Sequence, residues 1–512
     1  MSGPKATRRA WIGLAVIALP CLLYSMDLTV LNLAVPSLTA DLKPSSTQLL
    51  WIIDIYGFLV AGSLITMGTL GDRIGRRRLL LIGAAAFGVA SVFAAFSTTP
   101  EMLIATRAAL GLAGATLAPS TMSLIRNMFL DPKQRSVAIG VWIASYSAGA
   151  VIGPPVGGFL LEYFWWGSVF LVSVPIMVLL LAVGPILLPE FRDPEAGRPD
   201  PFSAVLSVAA VLGVIYGLKQ IAAHGMGPLP ALSIVAGFAV GAVFIRRQQK
   251  LADPLIDLRL FRAPAFSASL ATYMLATFAV FGPYVFIAQY LQLVLGLSPM
   301  QAGLWSTPFA GGFIVGSMLS PMLARRVRPA FLMGVGLVIA AVGFVVLTQV
   351  DGPSGLTVVV ASTVVFSVGL SPVFTLANDL IIGAVPPERA GAASGISETC
   401  SEFGGALGIA ILGSIGTAIY RRAMAGSVLD GIPHEAAEAA RDTLGGALAV
   451  AGQLPELGTA LLATARKAFR SGLQVTAIVS ALIVTCMAVL VVVSLRHVRS
   501  ASESDAAAAT PH

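Results

Sequence analysis

From Trp11 onward the chain alternates between apolar runs and short segments that collect the charged residues. The runs are about 20 residues long, the length at which an α-helix spans the hydrocarbon core of a bilayer. Fourteen are present, at roughly 11–35, 47–70, 79–97, 101–124, 137–160, 168–188, 203–222, 231–245, 266–293, 300–323, 330–349, 356–383, 393–419 and 472–495. The period-two alternation of a membrane β-barrel is absent. The pattern therefore predicts an all-α integral membrane protein with 14 transmembrane helices. Lys5, Arg8 and Arg9 precede the first run as they would in a signal peptide. That run is too long for one and no small-residue cleavage site follows it, so it reads as a retained span.

Composition agrees. The chain is 56% hydrophobic and 11% charged, with a mean hydropathy of +0.87, far from the usage of soluble domains. With the N-terminus placed in the cytoplasm, Arg73, Arg76, Arg77, Arg78, Arg126, Arg135, Arg198, Arg246, Arg247, Arg325, Arg326 and Arg389 all fall on that side. Short outer loops then offer only Lys43 and Lys219. An even number of spans returns the C-terminal tail, with Arg496 and Arg499, to the cytoplasm. The net charge of +7 follows from this topology in a cytoplasmic membrane and from contact with anionic lipid, and no nucleic-acid partner is implied. The three cysteines and four histidines lack metal-ligand spacing, so no metal site is expected. No GxxxxGK[ST] loop or ATPase-sized soluble segment is present. Transport would thus run on a gradient, without a cofactor.

The chain repeats. GVWIASYSAGAVIGPPVGG from Gly140 and GISETCSEFGGALGIAILG from Gly395 share four glycines at a constant offset of 255, and Trp51 on the second span echoes Trp305 on the tenth. Spans 1–6 then pair with spans 9–14, and spans 7 and 8 are inserted between the halves. The expected organisation is an N-terminal six-helix bundle over 1–188, an inserted pair with linkers over 189–265, and a C-terminal bundle over 266–495. The latter carries a long external loop at 420–471, read either as short amphipathic helices or as a plain spacer, and a cytoplasmic tail follows at 496–512. Duplicated halves of this kind describe transporters that alternate around a midplane site.

Four motifs carry a family resemblance. GTLGDRIGRRR (68–78) resembles the loop motif of the major facilitator superfamily, and LIATRAALGLAGA (103–115) its fourth-span motif. GAVIGPPVGGFL (149–160) resembles the fifth-span antiporter motif, and MDLTVLNLAVP (26–36) the first-span motif of the fourteen-span drug:proton antiporters. Within that branch the chain is similar to the Qac-type quaternary-ammonium efflux pumps. The resemblance implies the major facilitator fold, antiport of protons against lipophilic cations, and roles in coupling or cation recognition for acids at Asp27, Asp54, Glu398 and Glu402. A further family acid on span 10 is replaced here by Phe313.

The residues themselves support that reading. A charge inside hydrocarbon costs about 2.5–3.5 kcal/mol on insertion scales, so intramembrane ionisable groups are functional candidates by default. Asp27, Asp54 and Arg107 lie at similar depths on spans 1, 2 and 4, so either acid is a candidate partner for the arginine. Glu398 and Glu402 share one face of span 13, where two carboxylates cannot both ionise cheaply. Tyr24, Trp51, Tyr56, Trp142, Tyr146, Phe281, Tyr284, Trp305 and Phe309 are candidates to line a cavity for flat or quaternary cations. Asp72, Arg73, Arg76, Arg126 and Asp379 are assigned to an inner gate, with Arg126 or Arg135 as the expected partner of Asp72. Gly149, Gly153, Pro154, Gly157 and Gly158 are read as a close-packed, kinked joint. The expected protein is a monomeric proton:drug antiporter and no enzyme. The competing expectation is a proton symporter or an exporter of one metabolite.

Overall fold

The computed structural model describes residues 5–192, 200–225, 227–251, 254–256, 258–351, 354–384, 390–425, 434–454 and 457–497. Among them every regular element is helical, and fourteen helices or helix pairs are long and apolar enough to cross a membrane. Spans 1–6 are Arg8–Leu42, Ser46–Ile74, Arg76–Ala95, Pro100–Gly114 continued by Leu117–Met128, Pro132–Tyr163, and Ser168–Leu171 continued by Ser173–Leu187. Spans 7 and 8 are Pro201–His224 and Pro228–Lys250. Spans 9–14 are Pro264–Gln289 running into a π-turn at Tyr290–Val294, Pro299–Ala324, Pro329–Leu347, Gly355–Gly383, Ala390–Ala425 and Gly458–Leu495. The predicted Arg198, Arg389 and Arg499, and the tail from 498, fall outside the described residues.

Seven of these helices open on proline, whose missing N–H is not needed in a first turn. Elsewhere side chains close the ends. Ser45 and Gln48 form a reciprocal capping box on span 2, Thr99 accepts from the Met102 amide at the start of span 4, and span 1 stops at Lys43 in the left-handed conformation (φ 47°).

The chain divides into two compact units, Met1–Gly217 with Pro228–Leu255 and Leu297–Leu304, and Leu218–Gly227 with Ile256–Gly296 and Trp305–His512. In the first unit, span 5 lies along span 1 through its glycines. A Cβ on Gly149 would strike the Leu22 backbone, on Gly153 the side chains of Thr29 and Met26, and on Gly157 Val30. Glycine at every fourth position lets the two backbones approach, as in small-xxx-small packing. In the second unit, Gly404 and Gly408 of span 13 meet the backbones of Met274 and Phe278 on span 9 in the same way. Leu22 and Met274, and Met26 and Phe278, differ by a constant 252, so the sequence repeat is also a repeat of helix packing.

The inserted pair is fastened within the first unit. Arg247 donates to both oxygens of Asp200 (3.1–3.2 Å), and Ser203 donates to the same carboxylate while accepting from Gln248 at 2.8 Å. Burial pushes the Asp200 carboxyl up, but the hydrogen bonds from Ser203 and Arg247 outweigh it and hold it below its ordinary value. The clamp is therefore fully present at neutral pH and is lost only as pH falls through that depressed value.

Three expectations shift. Lys219, counted with the outer loops although it fell inside the expected run 203–222, lies within span 7 with 1% exposure. Span 14 starts at Gly458, fourteen residues before its expected start. Residues 434–442 and 444–451 are short helices, so the described part of the long segment is no plain spacer. It is tied down inside the second unit: Tyr420 donates to the Ala440 carbonyl (2.8 Å), Arg421 pairs with Asp442, Arg466 donates to the Leu293 carbonyl (3.1 Å), and Arg470 pairs with Asp351.

The packing generates a contrast. Gly149→Ala should destabilise the protein by about 1–3 kcal/mol through overpacking. Gly140→Ala, where a Cβ would meet nothing within 4 Å, should be neutral or slightly stabilising. Thermal unfolding of the two variants in detergent separates these outcomes.

Candidate functional site

Span 1 carries Asp27 and span 4 carries Arg107, and the two meet inside the first unit. Arg107 Nη1 donates to Asp27 Oδ2 at 2.6 Å; the arginine side chain is 1% exposed and the aspartate 15%. Arg107 Nε donates to the Ile52 carbonyl of span 2 at 3.3 Å. The guanidinium also sits 4.6 Å from the ring centre of Tyr56 and 5.9 Å from that of Phe170. An arginine this buried is tolerated because its charge is paired and its Nε and Nη1 both donate. The sequence left both acids open as partners, and Asp27 makes this ion pair. Asp54 is fully buried on span 2, two residues from the carbonyl that holds Arg107.

Aromatic side chains continue from the pair. Tyr56 lies 6.1 Å from Tyr24, Tyr24 lies 5.8 Å from Tyr146, and Tyr146 lies 4.8 Å from Trp142, all between ring centres. Trp142 is oriented by its indole N–H, which donates to Thr121 Oγ1 at 3.0 Å. Four of the predicted lining residues thus form one cluster on spans 1, 2 and 5, reaching Asp27 through Arg107. Trp51 is half-buried on span 2.

The second unit has its own set. Phe281, Tyr284 and Phe309 follow one another at 6.4 and 5.9 Å, while Trp305 is 44% exposed. Glu398 and Glu402 are both half-buried on span 13. Tyr273 of span 9 hydrogen-bonds Ser401 between them and lies within electrostatic reach of both carboxylates. Its ring packs on Phe374 at 5.3 Å, and Phe374 in turn on Phe313 at 5.6 Å. Sequence reasoning missed Tyr273. The packing offset of 252 carries Cys21 onto Tyr273, and Cys21 occupies the matching place beside Thr121, Tyr146 and Trp142.

At the far end of span 2 the structure corrects an expectation. Asp72 pairs with Arg76, its Oδ1 lying 2.5 Å from Nη2 and 2.7 Å from Nε. Arg126 is exposed, and Arg135 donates to the carbonyls of Phe129 and Leu130. The cause is the turn at Gly75 (φ 112°), a conformation open to glycine, which brings residue 76 back beside residue 72. Arg76 then reaches span 4, donating to the Pro119 carbonyl at 3.3 Å. Glu190, another residue the sequence did not flag, accepts from the Arg77 amide at 3.1 Å and lies 3.6 Å from its guanidinium, at the positive end of span 3. Arg73 and Asp379 are exposed at their helix ends. Pro154 and Gly158 pack against the Leu297–Leu304 stretch within the first unit, Pro154 against Gly303 and Gly158 against Pro299 and Met300. Among the described residues no three of His, Cys, Asp or Glu gather as a metal-ligand set.

The family model for the Major Facilitator Superfamily matches residues 17–409. The chain belongs to that superfamily. As a superfamily member it is a membrane transporter and no enzyme. It is 45% identical to the multidrug efflux pump LfrA of Mycolicibacterium smegmatis, over 96% of this chain and 98% of that one. It is 36% identical to the methyl viologen resistance protein SmvA of Salmonella typhimurium, over 90% and 93%. Among solved structures it resembles a bacterial homologue of the human lysosomal transporter Spinster, with a TM-score of 0.68 at 19% identity over 96% and 98%, a likeness of fold.

The buried pair makes a double-variant prediction. Arg107→Met, which strands the Asp27 charge, should cost about 3–5 kcal/mol of stability. Adding Asp27→Asn should restore most of it, read as apparent Tm of the purified proteins.

Proposed function

We propose that this superfamily member is a proton-driven exporter of lipophilic cations. The observation that carries the reading is the continuity of the Asp27–Arg107 pair with the aromatic cluster of Tyr56, Tyr24, Tyr146 and Trp142. Ring faces attract flat or quaternary cations, and a carboxylate one residue beyond them answers to both a proton and a cation. The relatives support the substrate class: one is named a multidrug efflux pump and another a resistance protein for methyl viologen, a flat aromatic dication.

The chain lies in the cytoplasmic membrane as a monomer with both termini inside, following the distribution of arginine in short loops. Spans 1–6 and 9–14 act as the two halves, with the inserted pair between them in the sequence. A proton taken up by Asp27 removes the negative charge that holds Arg107. Asp54, Glu398 and Glu402 are the further acids at which protons and cations compete, and competition couples the two flows. Asp72, Arg73, Arg76, Arg126 and Asp379 belong to the inner gate, and the Gly149–Gly158 segment moves with span 1 as the joint.

Everted membrane vesicles with an imposed proton gradient test this. They should accumulate an ethidium-like dye, and adding dye should dissipate the gradient. Asp27→Asn and Glu398→Gln should each reduce coupled uptake, normalised to the amount of protein in the membrane, by tenfold or more, about the loss expected when a proton-transfer group is removed. Dye and protons moving in the same direction would identify a symporter and overturn the reading. Full uptake in the neutralised variants would overturn the roles of these acids.

A further inference from the structure

Beside Asp27 the first unit contains a cavity of about 20 Å³, whose lining includes none of Tyr24, Tyr56, Trp142 and Tyr146. A cavity needs about 10–15 Å³ by this measure to hold one water, so there is room for one and for no drug. Spans 1, 3 and 6 enclose it. Its walls are aliphatic or aromatic, Phe87 and Phe170 among them, except at two points: Asp27 on one side and Ser173 on the other.

Ser173 is 7% exposed and is itself part of a chain. Its Oγ lies 2.7 Å from Ser91 Oγ on span 3 and 2.7 Å from the Phe170 carbonyl. A hydroxyl has one proton and two lone pairs, so with these bonds made it still has capacity for a third partner. Ser91, 1% exposed, stands four residues before Ala95, the last residue of span 3, or about 6 Å along the helix. A polar line therefore runs from Ser91, near one end of span 3, through Ser173 to the cavity and Asp27, and the other residues lining that cavity are apolar.

We propose that this cavity is a single-water site bridging Ser173 and Asp27, and that Ser173 and Ser91 are positioning residues that deliver solvent protons to Asp27 from within the helix bundle. The inference rests on Asp27 being a proton carrier. In the step, the water gives one proton to the Asp27 carboxylate and takes the proton of Ser173, whose hydroxyl turns from the Phe170 carbonyl to the water and is refilled from Ser91, so Asp27 goes from charge −1 to neutral and one proton enters the line at Ser91. The path keeps protons apart from the aromatic cluster, which the cation occupies. The ionisable groups around Asp27 are Arg107 on span 4, Tyr56 and Asp54 on span 2, Tyr24 on its own helix and Tyr146 on span 5. Spans 3 and 6 present only Phe87, Val169, Phe170, Val172 and Ser173 to the cavity.

Infrared difference spectra of the purified protein, acid minus neutral, test the site without relying on transport. The wild type should show a carboxyl band that Asp27→Asn removes, accompanied by a water O–H stretching band that shifts in oxygen-18 water. Ser173→Ala should abolish that water band and slow dye-driven proton flux severalfold. Ser97→Ala should change neither, since this serine is also buried but its hydroxyl donates to the Phe93 carbonyl at the end of span 3 and it does not line the cavity. Absence of the Asp27 band, absence of the water band, or its survival in Ser173→Ala would each overturn the proposal. Wild-type spectra as expected, with no dye-driven proton flux, would instead overturn the antiport reading and leave the water site standing.

Discussion

A buried arginine in a membrane protein must keep its charge, because its proton does not come off in proteins, and it must therefore be met by an anion or by strong acceptors. Arg107 is met on three sides, by the Asp27 carboxylate, the Ile52 carbonyl and the face of Tyr56. These come from spans 1 and 2, so one side chain on span 4 ties three helices together. Span 5 joins them because its glycines bring it onto span 1 on both sides of Asp27, at Leu22 and at Met26, Thr29 and Val30. On the proposed reading, protonating Asp27 takes the counter-charge from Arg107 and leaves its positive charge to the Ile52 carbonyl and the rings of Tyr56 and Phe170. The change is local in chemistry, yet it is applied to the helix against which the GPPVGG segment packs.

The second unit repeats the packing with different chemistry. Glycines of span 13 lie on the backbone of span 9 as those of span 5 lie on span 1. The residue matching Asp27 is Ala279, fully buried, whose carbonyl accepts from Ser480. The acids have moved to span 13, where Glu398 and Glu402 flank the serine that Tyr273 bonds. The close helix contact that glycine permits recurs in both units, while the charged groups differ. The Phe374 and Phe313 pair beside Tyr273 fills with apolar surface the region where the family resemblance placed one more acid.

The fourteen spans were legible because a bilayer imposes a length and a composition that hydropathy reads directly. Depth showed that Arg107 would meet an acid and left Asp27 and Asp54 both open; the structure pairs it with Asp27. The Gly149, Gly153, Gly157 face was legible from its spacing. What the sequence hid depends on chain direction at turns and on contacts across helices. Asp72 finds Arg76 because Gly75 takes a positive φ, a local geometry that no hydropathy pattern records. Span 14 begins early because Arg466 and Arg470 spend their charges on the Leu293 carbonyl and on Asp351, so a charged stretch reads as loop while it folds as helix. Tyr273 and Ser173 are single polar residues in apolar runs, without periodicity. Their meaning comes from what faces them.

The central claim is that a cation and a proton exclude each other at the Asp27–Arg107 and aromatic site. Proton release on adding a lipophilic cation to the purified protein in weakly buffered detergent solution measures this directly. The account predicts that the wild type releases protons in proportion to cation bound, and that Asp27→Asn binds the cation while releasing fewer. Cation binding with no proton release from the wild type at any pH, or undiminished release from Asp27→Asn, would contradict it.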